Sequence, residues 1–261
     1  MRDLGIYAHI PFCVRKCGYC DFLSFPVGAY DGDVPERYVN ALCAEITDWR
    51  EKLAEENTGG KAEPARANAS AASPVGQEQI KIKENDAETG DGEYRVDTVF
   101  LGGGTPSLLS GGQIARVLEA VTKAFPLAET PEITLEVNPG TADRQKLSAF
   151  YAAGANRLSI GLQSANDDEL RTLGRIHTCE DFLRVYEDAR ACGFSNIGVD
   201  LMAALPGQTE DALLRTLEYV VSLRPEHISA YDLIVEEGTP FFREREAGRL
   251  ALPDEETQAA L

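Results

Sequence analysis

The chain has few basic residues and no long apolar run, and each shortage excludes a class of protein. Its 261 residues include 25 Lys and Arg against 43 Asp and Glu, which gives a formal net charge of −18. Nucleic-acid phosphates would meet a repelling field around such a protein, so we expect no nucleic-acid partner. No stretch could span a bilayer, and no secretory signal opens the chain. We therefore expect a cytoplasmic protein without a transmembrane segment.

Cysteine is also scarce. Six cysteines in a chain of this size do not make a disulfide framework. Cys43 and Cys192 extend apolar stripes at helical spacing, and Cys179 falls at a predicted helix start, so we expect packing roles for all three.

The other three cysteines form a tight C-x3-C-x2-C group at Cys13, Cys17 and Cys20. Thiolates select zinc or iron–sulfur clusters, and a cluster of four irons needs one ligand per iron. Three cysteines would leave one iron free to bind another ligand. A structural zinc site is the alternative, but such sites close with four protein ligands. His9 is the available fourth ligand, although the strand pattern points it along with Tyr7.

Short apolar segments alternate with helical patterns along most of the chain, which predicts an α/β fold with parallel strands and helical crossovers. Six such units fit a partial (β/α)6 barrel, and an open doubly wound sheet remains the alternative. The chemically interesting runs each follow a strand, which favours the barrel. Asn166 with Glu169, and Thr178 with Asp181, predict two capped helix starts. The predicted strands are Leu4–Ile10, Thr98–Leu101, Glu132–Val137, Arg157–Gly161, Asn196–Leu201 and His227–Leu233.

Composition divides the chain into a core and two further segments. Residues 1–56 and 94–240 carry the alternating pattern and form the predicted barrel. Residues 57–93 are rich in small and polar residues, which predicts a low-complexity, disordered insertion. Residues 241–261 are expected to begin a C-terminal region whose remainder is missing, because the run from Leu252 to Leu261 starts like a helix and then stops.

A glycine run, Gly102–Pro106, follows the second predicted strand, where backbone amides could approach a ligand closely. Combined with the cysteine spacing, it resembles the radical S-adenosylmethionine (SAM) superfamily. Further runs narrow the resemblance to the group of oxygen-independent coproporphyrinogen III oxidases and HemW-type heme chaperones. They are Ile6–Cys13, Phe100–Pro106, Leu135–Pro139, Ser159–Ser164, Gly174–His177, Val199–Leu201 and Leu205–Gln208.

The resemblance implies a TIM-like partial barrel that holds a [4Fe-4S] cluster and SAM, with heme as a further ligand in the chaperone branch. It implies that Cys13, Cys17 and Cys20 hold the cluster and that Tyr7, Gly103 and Glu136 line the bound SAM. Five other residues match positions that contact SAM, including a second SAM in the oxidase. They are Gly104, Thr105, Gln163, Arg175 and Asp200. The alternative is that Glu136, Arg175 and Asp200 form a structural ion-pair network. No catalytic residue is assigned.

One position separates the two branches. The oxidases have a further cysteine two residues beyond the last cluster ligand, whereas this chain has Phe22. The resemblance therefore favours a heme chaperone, with heme or a porphyrinogen and client heme proteins as partners, over an enzyme that decarboxylates coproporphyrinogen III. Two departures from the family pattern stand out: Ala203–Ala204 replaces an aromatic residue and a glycine, and the H-N-x-x-Y-W run of the chaperones is not in this chain.

Overall fold

A computed structural model of the protein describes residues 2–29, 32–57, 80–84 and 94–260. The strands, in chain order, are β1 (Arg2–Ile10), β2 (Phe12–Cys13), β3 (Phe25–Pro26), β4 (Ile80–Glu84), β5 (Tyr94–Gly103), β6 (Leu127–Val137), β7 (Arg157–Gln163), β8 (Ile197–Ala203) and β9 (His227–Asp232). The helices are α1 (Val34–Asn57), α2 (Gly111–Ala124), α3 (Arg144–Ala152), α4 (Asp167–Leu173), α5 (Cys179–Cys192), α6 (Glu210–Ser222), α7 (Pro240–Glu246) and α8 (Glu255–Ala260).

The main sheet has the order β4-β1-β5-β6-β7-β8-β9, and every pair from β1 to β9 is parallel. The six parallel strands therefore follow one another around the sheet in chain order. A doubly wound sheet would reverse its strand order at a switch point, and no reversal occurs here. The described strands form a curled half-barrel, which confirms the predicted (β/α)6 architecture.

The burial pattern of the parallel strands differs between the side of the sheet at β1 and its interior. β1 buries Leu4, Ile6, Ala8 and Ile10 and leaves the residues between them partly exposed. β7, in the middle of the sheet, is buried at nearly every position, as expected for a parallel strand covered on both faces. Helices α2 and α5 lay their apolar faces on the hydrophobic core.

Helix starts follow the predicted caps with one difference. The Thr178 hydroxyl accepts from the Asp181 amide, and Asp181 accepts from the Thr178 amide in return. Asn166 also caps α4, but Glu169 does not bond back to Asn166 as predicted. The Glu169 carboxylate is instead buried, where it accepts bonds from Ser164 and from Gln208. Ser164, five residues away, and the distant Gln208 therefore take the place of the predicted capping bond.

The insertion predicted over residues 57–93 is only partly described. Ile80–Glu84 forms β4, an antiparallel edge strand on β1, within the segment for which the sequence predicts disorder. Their alternation of isoleucine and lysine is typical of an exposed edge strand. Residues 58–79 and 85–93 lie outside the described residues, so disorder there remains a prediction. No helix in the described ranges is long and apolar enough to cross a membrane.

The segment after residue 240 contributes to the barrel. Phe241 of α7 is buried in a second apolar cluster with Leu173, Met202, Leu205 and Leu233. Tyr19 packs against this cluster, which lies beneath the loop that carries the three cysteines.

Candidate functional site

A cavity of about 430 Å³ lies at the carboxyl ends of the parallel strands. The loops that follow these strands form its wall, as in other barrels of this kind. All three cysteines of the C-x3-C-x2-C group border it. So do the predicted site residues Gly103, Gly104, Thr105, Glu136, Gln163, Arg175 and Asp200.

The loop that carries Cys13, Cys17 and Cys20, called the cysteine loop, is anchored to two distant parts of the chain. The Gly18 amide donates to Leu173 O at 3.2 Å, and the Phe241 amide donates to Gly18 O at 2.9 Å. Arg15 Nη2 donates to Gly174 O at 2.7 Å. A Cβ on Gly18 would lie 2.5 Å from the Phe241 ring, so this position has room only for glycine unless the ring moves.

Two of the three cysteine sulfurs accept hydrogen bonds. Thr105 Oγ1 donates to Cys13 Sγ at 3.4 Å, and Arg175 Nη1 approaches Cys17 Sγ at 3.9 Å. Burial raises the pKa of the Cys20 thiol, and the neighbouring Cys17 raises it further, whereas a bond from the Phe22 backbone lowers it. A bound cation would stabilise the deprotonated form of the Cys20 thiol.

His9, considered as a fourth ligand for zinc, is engaged elsewhere. Its Nδ1 lies 3.1 Å from the Tyr7 hydroxyl, and its Nε2 lies 2.7 Å from Leu23 O. No group of three or more His, Cys, Asp or Glu side chains in the described part of the chain is arranged to hold a single metal ion. His9 therefore connects β1 to the backbone of Leu23, three residues after Cys20.

Gly103, in the glycine run, has close contacts with two neighbouring strands. Gly103 has φ of +109°, and a Cβ there would lie 2.5 Å from the His9 ring. Its amide donates to Glu136 Oε2 at 3.0 Å. Gly103 therefore makes room for His9 and orients Glu136, and its amide is not free for a ligand in this arrangement.

Glu136 is the most strongly perturbed carboxyl group of the cavity. Burial raises its pKa to about 7, the nearby Asp200 adds to the rise, and the bond from Gly103 opposes it. A carboxyl group of this kind changes charge near neutral pH and can accept hydrogen bonds from a bound ammonium or hydroxyl group.

Asp200 and Arg175 have separate partners. Ser159 Oγ lies 3.1 and 3.0 Å from the two carboxylate oxygens of Asp200, whose pKa is raised by burial. Arg175 Nη2 donates to Gly161 O at 2.8 Å and to Asn138 Oδ1 at 2.9 Å. Among the described residues, Glu136, Arg175 and Asp200 form no ion pairs with one another. The alternative of a structural ion-pair network is therefore wrong.

Tyr7 is the one predicted site residue that does not border the cavity. Its ring stacks on Phe100 with centroids 6.0 Å apart, and burial raises the pKa of its hydroxyl to about 12. The hydroxyl lies 3.1 Å from His9 Nδ1, and the charge of Glu136 adds to the rise in its pKa.

Sequence reasoning missed several residues of the cavity wall. Asn138 stands two residues beyond Glu136 in a run that was already singled out, so its place at a strand end could have identified it. Tyr231 is the penultimate residue of the last parallel strand and could have been found in the same way. Tyr19 and Ser159 also line the cavity and lie within runs already singled out in the sequence, whereas no local signal marks Met202 and Ile234.

Comparison with known families settles the class. The description of the radical SAM superfamily matches residues 74–220. The chain belongs to the radical SAM superfamily. Members of this superfamily use a [4Fe-4S] cluster and SAM, and these are the cofactors of this chain.

Two curated relatives of this radical SAM protein are similar over almost all of its length. "Heme chaperone HemW" of Mycobacterium tuberculosis is 34% identical over 258 residues, which cover 99% of this chain and 56% of that protein. "Heme chaperone HemW" of Bacillus subtilis is 35% identical over 256 residues, which cover 98% of this chain and 57% of that protein. The chain thus spans little more than half the length of these relatives.

A solved structure shares the fold. Coproporphyrinogen III oxidase (HemN) from Escherichia coli, described as a radical SAM enzyme, superposes with a TM-score of 0.72 at 24% identity. The match covers 97% of this chain and 49% of that one.

The residues present fit the two cofactors. Three thiol groups line one end of the cavity, and soft sulfur ligands are those that iron–sulfur clusters require. Arg175 lines the cavity, and its Nε is buried and has no hydrogen-bond partner among the described residues. This N–H group is therefore free to donate a hydrogen bond to a bound ligand. The cavity also offers both carboxyl and amide groups for the polar groups of SAM.

Proposed function

We propose that this protein is a HemW-like heme chaperone, whose radical SAM core binds heme for transfer to client heme proteins. The relatives at 34 and 35% identity support this assignment. A cytoplasmic location and client heme proteins as partners belong to the same proposal, as do the domain boundaries at residues 56, 94 and 240.

The observation that carries the proposal is the identity of residue 22, two positions after the last of the three cysteines. Phe22, where the oxidase branch has a further cysteine, stands at the cavity wall with 69% of its surface exposed. Ile234 lies on the same wall and is 68% exposed. Two exposed apolar side chains at one cavity mouth are suited to the flat apolar face of a tetrapyrrole.

We propose that Cys13, Cys17 and Cys20 hold the cluster and that Thr105 and Arg175 bond to their sulfurs. When bound, the reduced cluster and SAM together supply radical chemistry that the protein side chains cannot perform. The chain's own residues would bind and orient SAM: Glu136 and Asp200 would accept hydrogen bonds from its amino group or its ribose hydroxyls. Gln163 and Gly104 complete the SAM-binding wall, and Tyr7 acts on it through His9.

The alternative is a coproporphyrinogen III dehydrogenase, which the fold shared with the oxidase favours. A heme carrier and an enzyme that makes a heme precursor differ in what they do with the tetrapyrrole. Phe22 is an unreactive side chain at the place where the oxidase branch has a thiol, and this difference supports the carrier.

An anaerobic experiment separates the two functions. The reconstituted protein is supplied with SAM and reductant, and then with heme or with coproporphyrinogen III. We expect a stable heme complex, seen as a shifted Soret band, without formation of protoporphyrinogen. Phe22→Ser should weaken heme binding about tenfold, because an apolar contact is lost, and Tyr151→Ser, at another exposed aromatic residue, 45% exposed and away from the cavity, should not. Turnover of coproporphyrinogen III would contradict the proposal.

A further inference from the structure

Gln163 occupies an unusual backbone conformation at the end of β7. Its φ of +72° lies in the left-handed region, which glutamine seldom adopts. The pairing of β7 with β8 shifts by one residue between Gly161 and Gln163, so the strand carries a bulge at this point. The side chain is only 5% exposed and borders the cavity. Strain of this kind persists where surrounding contacts hold a functional side chain in place.

One of those contacts comes from the last strand of the barrel. Tyr231 Oη donates to Gln163 Oε1 at 3.0 Å. A Cβ on Gly161 would lie 2.9 Å from Gln163 Nε2, so the glycine leaves the space in which the amide group sits. Among the described residues, Gln163 Nε2 has no hydrogen-bond partner. In this arrangement the Oε1 end of the amide is occupied and the Nε2 end is free.

We propose that Tyr231 is a positioning residue that locks the Gln163 side-chain amide with its N–H groups facing the SAM site, so that Gln163 binds SAM as a donor. The group it recognises is then an acceptor: a ribose oxygen, an adenine nitrogen or the carboxylate. Without Tyr231 the hydrogen bond to Oε1 is lost, and a flip of the amide would place the acceptor oxygen where the N–H groups now lie.

The surroundings keep Tyr231 in its donor form. Burial raises the pKa of its hydroxyl to about 12, and the charges of Asp200 and Glu136 raise it further, while Arg175 and the bond to Gln163 oppose the rise. The hydroxyl therefore stays protonated at every pH at which the protein is handled, and the lock should not depend on pH between 6 and 9.

This inference rests on the proposed binding of SAM in the cavity. The test measures the dissociation constant for SAM by equilibrium dialysis on reconstituted protein, with iron and sulfide content determined on the same samples. Tyr231→Phe removes the donor and keeps the ring, and we expect SAM binding to weaken about fivefold to tenfold at unchanged iron content. Tyr151→Phe is the matched control, because Tyr151 is 45% exposed against 46% for Tyr231 and packs on Phe194 instead.

Two further variants distinguish a lock from a general packing effect. Tyr231→Phe in a Gln163→Ala background should have no additional effect, because the amide it orients is gone. Gln163→Glu keeps an acceptor for Tyr231 but removes the donor, so it should weaken SAM binding as much as Gln163→Ala does.

Each contrary result has one meaning. If the wild-type protein holds its cluster and fails to bind SAM, both the proposed function and this inference fall. If the wild type binds SAM and Tyr231→Phe binds it equally well, only the inference is overturned. The inference also falls if Tyr231→Phe weakens binding to the same extent in the Gln163→Ala background, or if Gln163→Glu binds like the wild type.

Discussion

The backbone amide of Gly103 donates to the Glu136 carboxylate at 3.0 Å, which joins the ends of β5 and β6 at the floor of the cavity. The carboxyl group is buried, and one amide donor does not offset the cost of removing its charge from water. Burial consequently raises the Glu136 pKa to about 7.

This pKa predicts a pH dependence of stability. The carboxyl group binds its proton more tightly in the folded protein, at a pKa of about 7, than at its ordinary value of 4.5. The free energy of unfolding should therefore fall as pH rises from about 4.5 to 7 and change little above. The loss should be about 2 to 3 kcal/mol. Glu136→Gln should abolish it, measured by urea unfolding of the cluster-free protein at a series of pH values.

Glu129→Gln serves as the control, because it removes an exposed carboxyl group from the same strand. Equal pH slopes in Glu136→Gln and in the wild type would show that Glu136 titrates normally.

The strand order could be read from the sequence, and the site could be read only in part. Alternating strands and helices of regular length predict parallel neighbours, and the ends of parallel strands meet at one edge. That logic correctly brought Glu136 and Asp200 to one cavity. The family resemblance placed Tyr7 at the same cavity, whereas in the structure the Tyr7 ring packs against Phe100 and does not border the cavity.

The features of the site that the sequence could not predict depend on contacts formed only in the folded chain. Gly103 is glycine because the His9 ring fills the space of its Cβ, and 94 residues separate the two. No local sequence pattern predicts a positive φ for a glutamine, so the bulge that orients the Gln163 side chain could not be predicted from the sequence. The capping bond predicted for Glu169 failed for the same reason, because Ser164 and Gln208 meet it only in the folded chain.

Arg175 predicts an effect on the reduction potential of the cluster. Its guanidinium approaches Cys17 Sγ at 3.9 Å and carries a positive charge close to the cluster ligands. A nearby cation and a bond to a ligand sulfur both favour the reduced cluster. Arg175→Gln should therefore lower the potential, by some tens of millivolts, as measured by a redox titration followed by electron paramagnetic resonance. Arg171→Gln, an exposed arginine on α4, should leave it unchanged, and a potential that rises in Arg175→Gln would contradict this account.

The cysteines predict a clear division between ligands and packing residues. Cys17→Ser removes a thiolate from the cavity wall and should prevent retention of the cluster, because the remaining two cysteines cannot hold it. Cys192→Ser changes a half-buried thiol that donates to Arg144 O on the outer side of the barrel, and iron content should stay at the wild-type level. Iron, sulfide and the absorbance near 400 nm of both variants after anaerobic reconstitution decide the matter. Full cluster content in Cys17→Ser would remove Cys17 from the ligand set.

Gly18 links the cysteine loop to α7, and this contact predicts that α7 is needed for cluster binding. In Gly18→Ala the new Cβ would lie 2.5 Å from the Phe241 ring, so either the loop or the ring must move. We expect a loss of about 1 to 3 kcal/mol in unfolding free energy, together with reduced iron content after reconstitution. Phe241→Leu in the same chain should restore part of both, because the shorter side chain makes room for the methyl group. Gly28→Ala is the control, since a Cβ at Gly28 meets no atom within 4 Å. Wild-type iron content in Gly18→Ala would mean that the loop holds its cluster independently of α7.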